Sequence, residues 1–277
     1  MSTITKIEGL EIAKVLLEDQ RRAISKLDRK INMAIIVVGD KNKIGTENRI
    51  STFKSVGLIS QIIRISDSDN VENVLITELD RLNNDDKIDC YYIEKPISSN
   101  INMENVIKYI SPNKDLGGFH PENIGKVSLN IETVLPVNAH TIMQMFSFYN
   151  IDLENKVCTI ISKSKVNNLP LSVMLSQNDN CSVTICNAFT KDLEVYTKKS
   201  DIVIVDVSIP NFLTGDMVKE DSIIVDCGYN RSDGTFVGDV DFVDASNKSS
   251  YITPFGSVED LKVVSLIKNA LFIVRNN

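Results

Sequence analysis

The chain has no Cys-x-x-Cys pair, only two histidines, no apolar run long enough to span a bilayer and no surplus of positive charge. Each shortage closes off a class of function. Five cysteines (Cys90, Cys158, Cys181, Cys186, Cys227) are an odd number and lie mostly in apolar, strand-like runs, so they read as buried thiols in a reducing compartment rather than as a disulfide framework. Buried cysteine behaves as a small hydrophobe, which counts against Cys158 or Cys227 as a nucleophile. His120 and His140 stand far apart without acids at ligand spacing, so no metal site is expected. A net charge of −7 argues against a surface for nucleic acid or acidic lipid. Glu8, Glu11 and Lys14 interrupt what would have to be a signal sequence, and a cytoplasmic protein is expected. No internal repeat or low-complexity linker is visible.

What is present is an ordinary globular composition, 43% hydrophobic and 24% charged over 277 residues, enough for two domains with a core each. Apolar residues at helical spacing from Ile7 to Leu27 predict an amphipathic helix. Met33 to Val38 is a continuous apolar run closed by Gly39-Asp40, the pattern of a buried parallel strand with a turn at its carboxyl end. Helix 46–56, strand 59–65, helix 71–82, strand 88–93, a turn at Pro96 and helix 103–110 follow, which is the alternation of a helix-covered parallel sheet. After a turn-rich stretch from Lys114 to Gly125, read as a hinge loop between two α/β units, helix 139–149 leads into a second alternating run. Its strands fall at 157–161, 182–186, 202–205 and 223–227, with helices to about Gln177 and over 193–198. The spacing of those strands fits a Rossmann-like domain. The fold class is therefore α/β in two domains. The first is a parallel-sheet, catalytic-type domain over 1–138. The second is a Rossmann-like domain over 139–257, and a closing helix over 258–277 packs back on the first.

Five strings, in order, carry a resemblance: Ile35 to Asp40; Pro112-Asn113-Lys114-Asp115 running into Gly118 to Gly125; Asp226-Cys227-Gly228-Tyr229-Asn230-Arg231; Gly238-Asp239-Val240; and Tyr251-Ile252-Thr253-Pro254. Together they resemble the bifunctional methylenetetrahydrofolate dehydrogenase/methenyltetrahydrofolate cyclohydrolase family over nearly the whole chain. The resemblance implies NADP or NAD as cofactor, a folate-type substrate in a cleft between the domains, and a homodimer through the Rossmann-like domain. It implies hydride transfer from methylene-tetrahydrofolate to nicotinamide, then hydrolysis of the methenyl product.

Position by position, the resemblance identifies replacements. The family's tyrosine and lysine, four residues apart on one helix face, fall on Gly45 and Arg49. Its glutamine after the third strand, in a Val-Gln-x-Pro context, becomes Glu94, followed by Lys95 and Pro96. A guanidinium stays charged and does not shuttle protons, so Arg49 and Glu94 are expected to pair, within about 4 Å, where the family does proton transfer. The aspartate that meets the pterin ring becomes Gly117, which offers no acceptor; Asp115 and Glu122 are the nearby carboxylates that can stand in for it. His120 reads as a turn residue more than a catalytic one.

The family's Gly-Arg-Ser turn and later Gly-x-Pro become Ser162-Lys163-Ser164 and Asn168-Leu169-Pro170. Glycine gives phosphate close access to backbone, so these losses weaken a dinucleotide site. Ser162, Lys163, Ser164, Asn168 and Asn230 are the cofactor-binding candidates. Gly45, Gly117 and Glu259 are the substrate-binding ones, although Glu259-Asp260 reads equally as the acidic first turn of a helix. Replacement concentrated on chemistry predicts a protein of one-carbon folate metabolism without cyclohydrolase activity and with dehydrogenase activity weak or lost. The alternative is a non-catalytic binding or regulatory pseudoenzyme that dimerises with a partner.

Overall fold

The structure is a computed structural model describing residues 4–39, 43–94, 97–163, 165–178, 180–232 and 234–276. Expectations at Asp40, at Lys95-Pro96 and at Ser164 lie outside them. In chain order the first elements are β1 (Thr5–Lys6), α1 (Gly9–Ile24), β2 (Asn32–Val38), α2 (Lys43–Ser55), β3 (Ile59–Ile65), α3 (Val71–Asn83), β4 (Cys90–Ile93), α4 (Met103–Val106), α5 (Pro121–Ser128) and α6 (Val137–Phe148). Then come β5 (Val157–Ser162), α7 (Lys165–Asn178), β6 (Ser182–Cys186), α8 (Glu194–Thr197), β7 (Ile202–Asp206), β8 (Ser222–Asp226), β9 (Asn230–Ser232), β10 (Thr235–Val237), α9 (Phe242–Ser246), β11 (Ser249–Ile252) and α10 (Ser257–Asn276). Among the described residues no helix is long and apolar enough to cross a membrane.

Two compact units divide the chain. One comprises Val15–Val137 with Val263–Asn277, the other Asn138–Lys262 with the segment ending at Lys14. The first unit holds a parallel sheet in the order β3-β2-β4. β2 is buried from Met33 to Val38 because neighbours flank it on both edges and helices cover it, which is why its sequence is an unbroken apolar run. Val71, Leu75, Leu79 and Leu82 recur at helical spacing along α3 and pack with Ile36, Tyr91 and Ile93 in one buried cluster. The strand expected from Ile88 starts at Cys90, since Ile88 closes a turn onto the Asp85 carbonyl. The helix expected over 103–110 ends as α4 and continues as one 3₁₀ turn, Ile107–Tyr109.

The stretch from Lys114 to Gly125 is not a hinge loop between units. All of it lies within the first unit, and its second half is helix. Tyr91 donates its N–H to the Lys114 carbonyl and Leu116 donates to that of Tyr91, so residues 114–116 run beside β4 as an added parallel rung. Pro121 then opens α5, where its missing N–H costs nothing, and His120 caps the helix by accepting the Glu122 N–H on Nδ1 at 3.1 Å. From Val263 onward α10 packs in this unit. Buried Asn269 donates to the carbonyls of Leu116 at 2.9 Å and Leu135 at 2.8 Å.

In the second unit six strands lie in the order β1-β11-β8-β7-β5-β6, all parallel. Thr5–Lys6, assigned from sequence to the amino-terminal domain, pairs instead with β11. The strand pair β9-β10 forms a separate antiparallel ribbon.

Asn269→Leu keeps the branched heavy-atom outline of this side chain but strands one buried and one half-buried carbonyl. Denaturant unfolding should show a loss of about 2–4 kcal/mol; a loss below about 1 kcal/mol would mean that α10 is not anchored through this residue.

Candidate active site and dinucleotide frame

Helix α2 follows β2 and carries Gly45 and Arg49 one turn apart, hence on one face. Glu94 immediately follows β4, its N–H bonded to the Ile36 carbonyl of β2. These supports bring Arg49 Nη2 to 3.2 Å from Glu94 Oε1, with side chains only 10% and 4% exposed. The expected pairing is therefore present, and it is buried. The guanidinium carbon also stands 5.9 Å from the Tyr92 ring centroid, within cation–π range. Tyr92 in turn lies 6.4 Å from the Phe119 ring at a tilt of 34°.

That aromatic contact explains Gly117. A Cβ at this position would fall 2.5 Å from Phe119 Cε2, so a side chain there requires the ring to move. The bare backbone at Gly117 and the seating of Phe119 go together. Gly118, at φ +70°, has a second reason to be glycine, because a Cβ would meet the Leu135–Pro136 backbone at 2.6 Å.

Neither nearby carboxylate stands free to replace it. Asp115 is buried and accepts the His120 N–H at 2.7 Å and the Asn123 side-chain N–H at 3.1 Å. Asn123 donates also to the Pro112 carbonyl and accepts from Thr133 Oγ1. Burial raises the Asp115 pKa, and these donors oppose the rise. Exposed Glu122 pairs with Lys126 at 2.6 Å along α5. Gly45 is half-buried on α2. Glu259 lies in the first turn of α10 and pairs with Lys262 one turn on, as an acidic first turn does. His140 is buried in α6. Cys158 is fully buried in β5, and burial pushes its thiol up, far from a working thiolate.

In the second unit the strand order reverses between β5 and β7, the place where parallel sheets open a crevice at their carboxyl ends. Ser162, the last residue of β5, is register partner of Asp206, and the Lys163 N–H bonds the Asp206 carbonyl at 3.3 Å. Helix α7 starts at Lys165, so its N-terminal N–H groups follow that turn directly. Ser162 and Asn168 are both 5% exposed, so neither side chain projects into solvent at the turn; Lys163 is exposed. The strand-turn-helix frame fits a dinucleotide pyrophosphate, with backbone donors and Lys163 as the available groups.

Asn230 points its amide at 2.7 Å to Asp239, a residue named from the sequence only as part of the Gly238-Asp239-Val240 string. Asp226, at the end of β8, was passed over too. It accepts the N–H groups of Gly228 at 2.8 Å, Asp239 at 3.0 Å and Val240 at 3.1 Å. A Cβ on Gly238 would lie 1.8 Å from Asp226 Oδ2, which explains that glycine. The motif signal was there, in Asp-x-Gly and Gly-Asp-Val, but nothing in it said that one string binds the other.

These units define a two-domain α/β protein whose second domain is of the nucleotide-binding type. A family model described as the tetrahydrofolate dehydrogenase/cyclohydrolase catalytic domain matches residues 7–117, and one described as its NAD(P)-binding domain matches residues 136–277. The chain is 37% identical over 269 residues to the bifunctional protein FolD of Vesicomyosocius okutanii, covering 96% of each. Among solved structures it is similar to the bifunctional FolD enzyme of Campylobacter jejuni, at 32% identity and a TM-score of 0.91 over 99% of both chains. It shares its fold, at 22% identity and a TM-score of 0.91 over 100% of this chain and 99% of that one, with the Trypanosoma brucei FolD solved with NADP and an inhibitor. The chain belongs to the tetrahydrofolate dehydrogenase/cyclohydrolase family.

Removing one member of a buried ion pair strands the other, whereas removing both does not. Arg49→Met alone should cost about 3–5 kcal/mol and Arg49→Met with Glu94→Leu much less; a double-variant loss equal to the sum of the two single losses would show that the charges act independently. At Asp226, burial lifts the pKa from 3.8 to about 6 despite the three N–H donors, with the Asp239 charge adding to the rise. The protonated form is favoured by folding, so this contribution is complete below the unfolded pKa and is lost as pH rises through about 6. Carboxyl ¹³C NMR should show a midpoint near 6 for this residue, and a midpoint below about 4 would contradict the burial argument.

Proposed function

We propose that this protein is an NAD(P)-dependent methylenetetrahydrofolate dehydrogenase of one-carbon metabolism whose activity is at most weak, and that it lacks the cyclohydrolase step. The observation that carries the reading is the buried Arg49–Glu94 ion pair. Hydrolysis of a methenyl group needs water activated by a group that gives up and regains a proton near neutral pH. Arg49 holds its proton throughout, and Glu94 is held against it, so neither residue serves as that group. Hydride transfer makes no such demand, since it depends on holding two reactants in line.

NADP or NAD, when bound, supplies the acceptor for the hydride. The turn after Ser162, with Lys163 and the amino end of α7, is the part of this chain suited to hold its pyrophosphate. On the substrate side, Gly117 provides no carboxylate for the donors of a pterin, and an unmatched donor costs about 1–3 kcal/mol, so folate affinity is reduced.

Purified protein given methylene-tetrahydrofolate with NADP or NAD should reduce the nucleotide slowly, and the folate product should build up as the methenyl compound. Formyl-tetrahydrofolate appearing as fast as reduced nucleotide would contradict the reading. Binding of both ligands by calorimetry with no turnover would favour the non-catalytic alternative.

A further inference from the structure

The loop after β7 forms, with the turn after β5, the two lips of the crevice in the second unit. Three successive backbone N–H groups of that loop converge on one carboxylate. Val207 and Ser208 donate to Asp239 Oδ2 at 2.6 and 2.9 Å, and Ile209 donates to Oδ1 at 2.9 Å. Ser208 takes φ +55°, a left-handed conformation uncommon outside glycine, and the run makes a concave nest of the kind that binds anions. Here the anion is internal. Asp239 is fully buried, and its Oδ1 also accepts the Asn230 amide at 2.7 Å.

The surroundings hold the carboxylate in that place. A Cβ on Gly228 would fall 2.4 Å from Asp239 Cγ, so glycine leaves the room it occupies. The Asp239 N–H is fixed by Asp226, its carbonyl accepts the Leu213 N–H, and the Gly238 carbonyl accepts that of Asn211. Residues 238–240 thus strap the whole loop from 207 to 213. With its N–H groups turned inward, the loop leaves Ser208, Ile209 and Pro210 exposed at the lip.

We infer that Asp239 is a positioning residue for the dinucleotide: it fills the nest after β7 from within, closes that loop to phosphate, and sets Ser208 to Pro210 as one wall of the crevice. The pyrophosphate is left to the turn after Ser162. This inference rests on the dinucleotide-binding reading above, and Asp239 touches no ligand in it.

The test compares the full chain with Asp239→Asn, which keeps shape but replaces one acceptor oxygen with a donor facing N–H groups. NADP and NAD affinity and methylene-tetrahydrofolate affinity are measured by calorimetry, and amide exchange is followed at 207–209. The expected result is a dinucleotide Kd raised about tenfold or more, as loss of positioning produces, with folate affinity unchanged and protection lost at those three amides. In Asp239→Ala, added formate should enter the vacated nest and recover part of the dinucleotide affinity. Wild-type protein that binds a dinucleotide while Asp239→Asn binds it within about twofold overturns the inference alone. Equal weakening of both ligands, with a lowered melting temperature, also overturns it, because that is the signature of general destabilisation. Wild-type protein that binds neither NADP nor NAD overturns the dinucleotide reading and the inference with it.

Discussion

A carboxylate taken out of water must be met by donors or by a positive charge, and the interior of this protein is arranged around that requirement. Asp115 receives the His120 N–H and the Asn123 amide and so fixes the turn that leads into α5. Asp226 and Asp239 receive backbone N–H groups and tie residues 238–240 both to the end of β8 and to the loop after β7. Glu94 receives Arg49. Three of these carboxylates organise backbone, and the fourth fills the place where the family resemblance sets proton transfer.

That difference separates scaffold from chemistry. A backbone-satisfied carboxylate is a structural part whatever the protein catalyses, because turns and close approaches depend on it. In the reading proposed above, the ion pair of a guanidinium and a carboxylate takes the place of a group that would change protonation state during hydrolysis. Gly117 belongs to the same account. The position offers no side-chain acceptor, and the ring of Phe119 lies close beside it.

Much of the fold was legible because it is written as apolar periodicity. The unbroken run from Met33 to Val38 is a strand buried on both faces, and the bounds of β3 and β6 agree with the pattern residue for residue. Helix α5 was obscured by glycine-rich neighbours, although His-Pro-Glu carries a capping residue, a proline at the first position and an acid in the first turn. β1 has two residues, too few for any period, and becomes a strand only by pairing with β11. At the site, the pairing of Arg49 with Glu94 was readable because both replacements are charged and opposite in sign. The work of Asp239 was not, since its partners are backbone groups that any sequence would supply.

The central claim is that the charged pair has replaced the proton-transfer site. Hydrolysis of methenyl-tetrahydrofolate near neutral pH, followed side by side for the wild-type protein, the Arg49→Lys/Glu94→Gln variant and buffer alone, tests it most directly. The account predicts a wild-type rate equal to buffer and a variant rate above it. A wild-type rate clearly above buffer would contradict it.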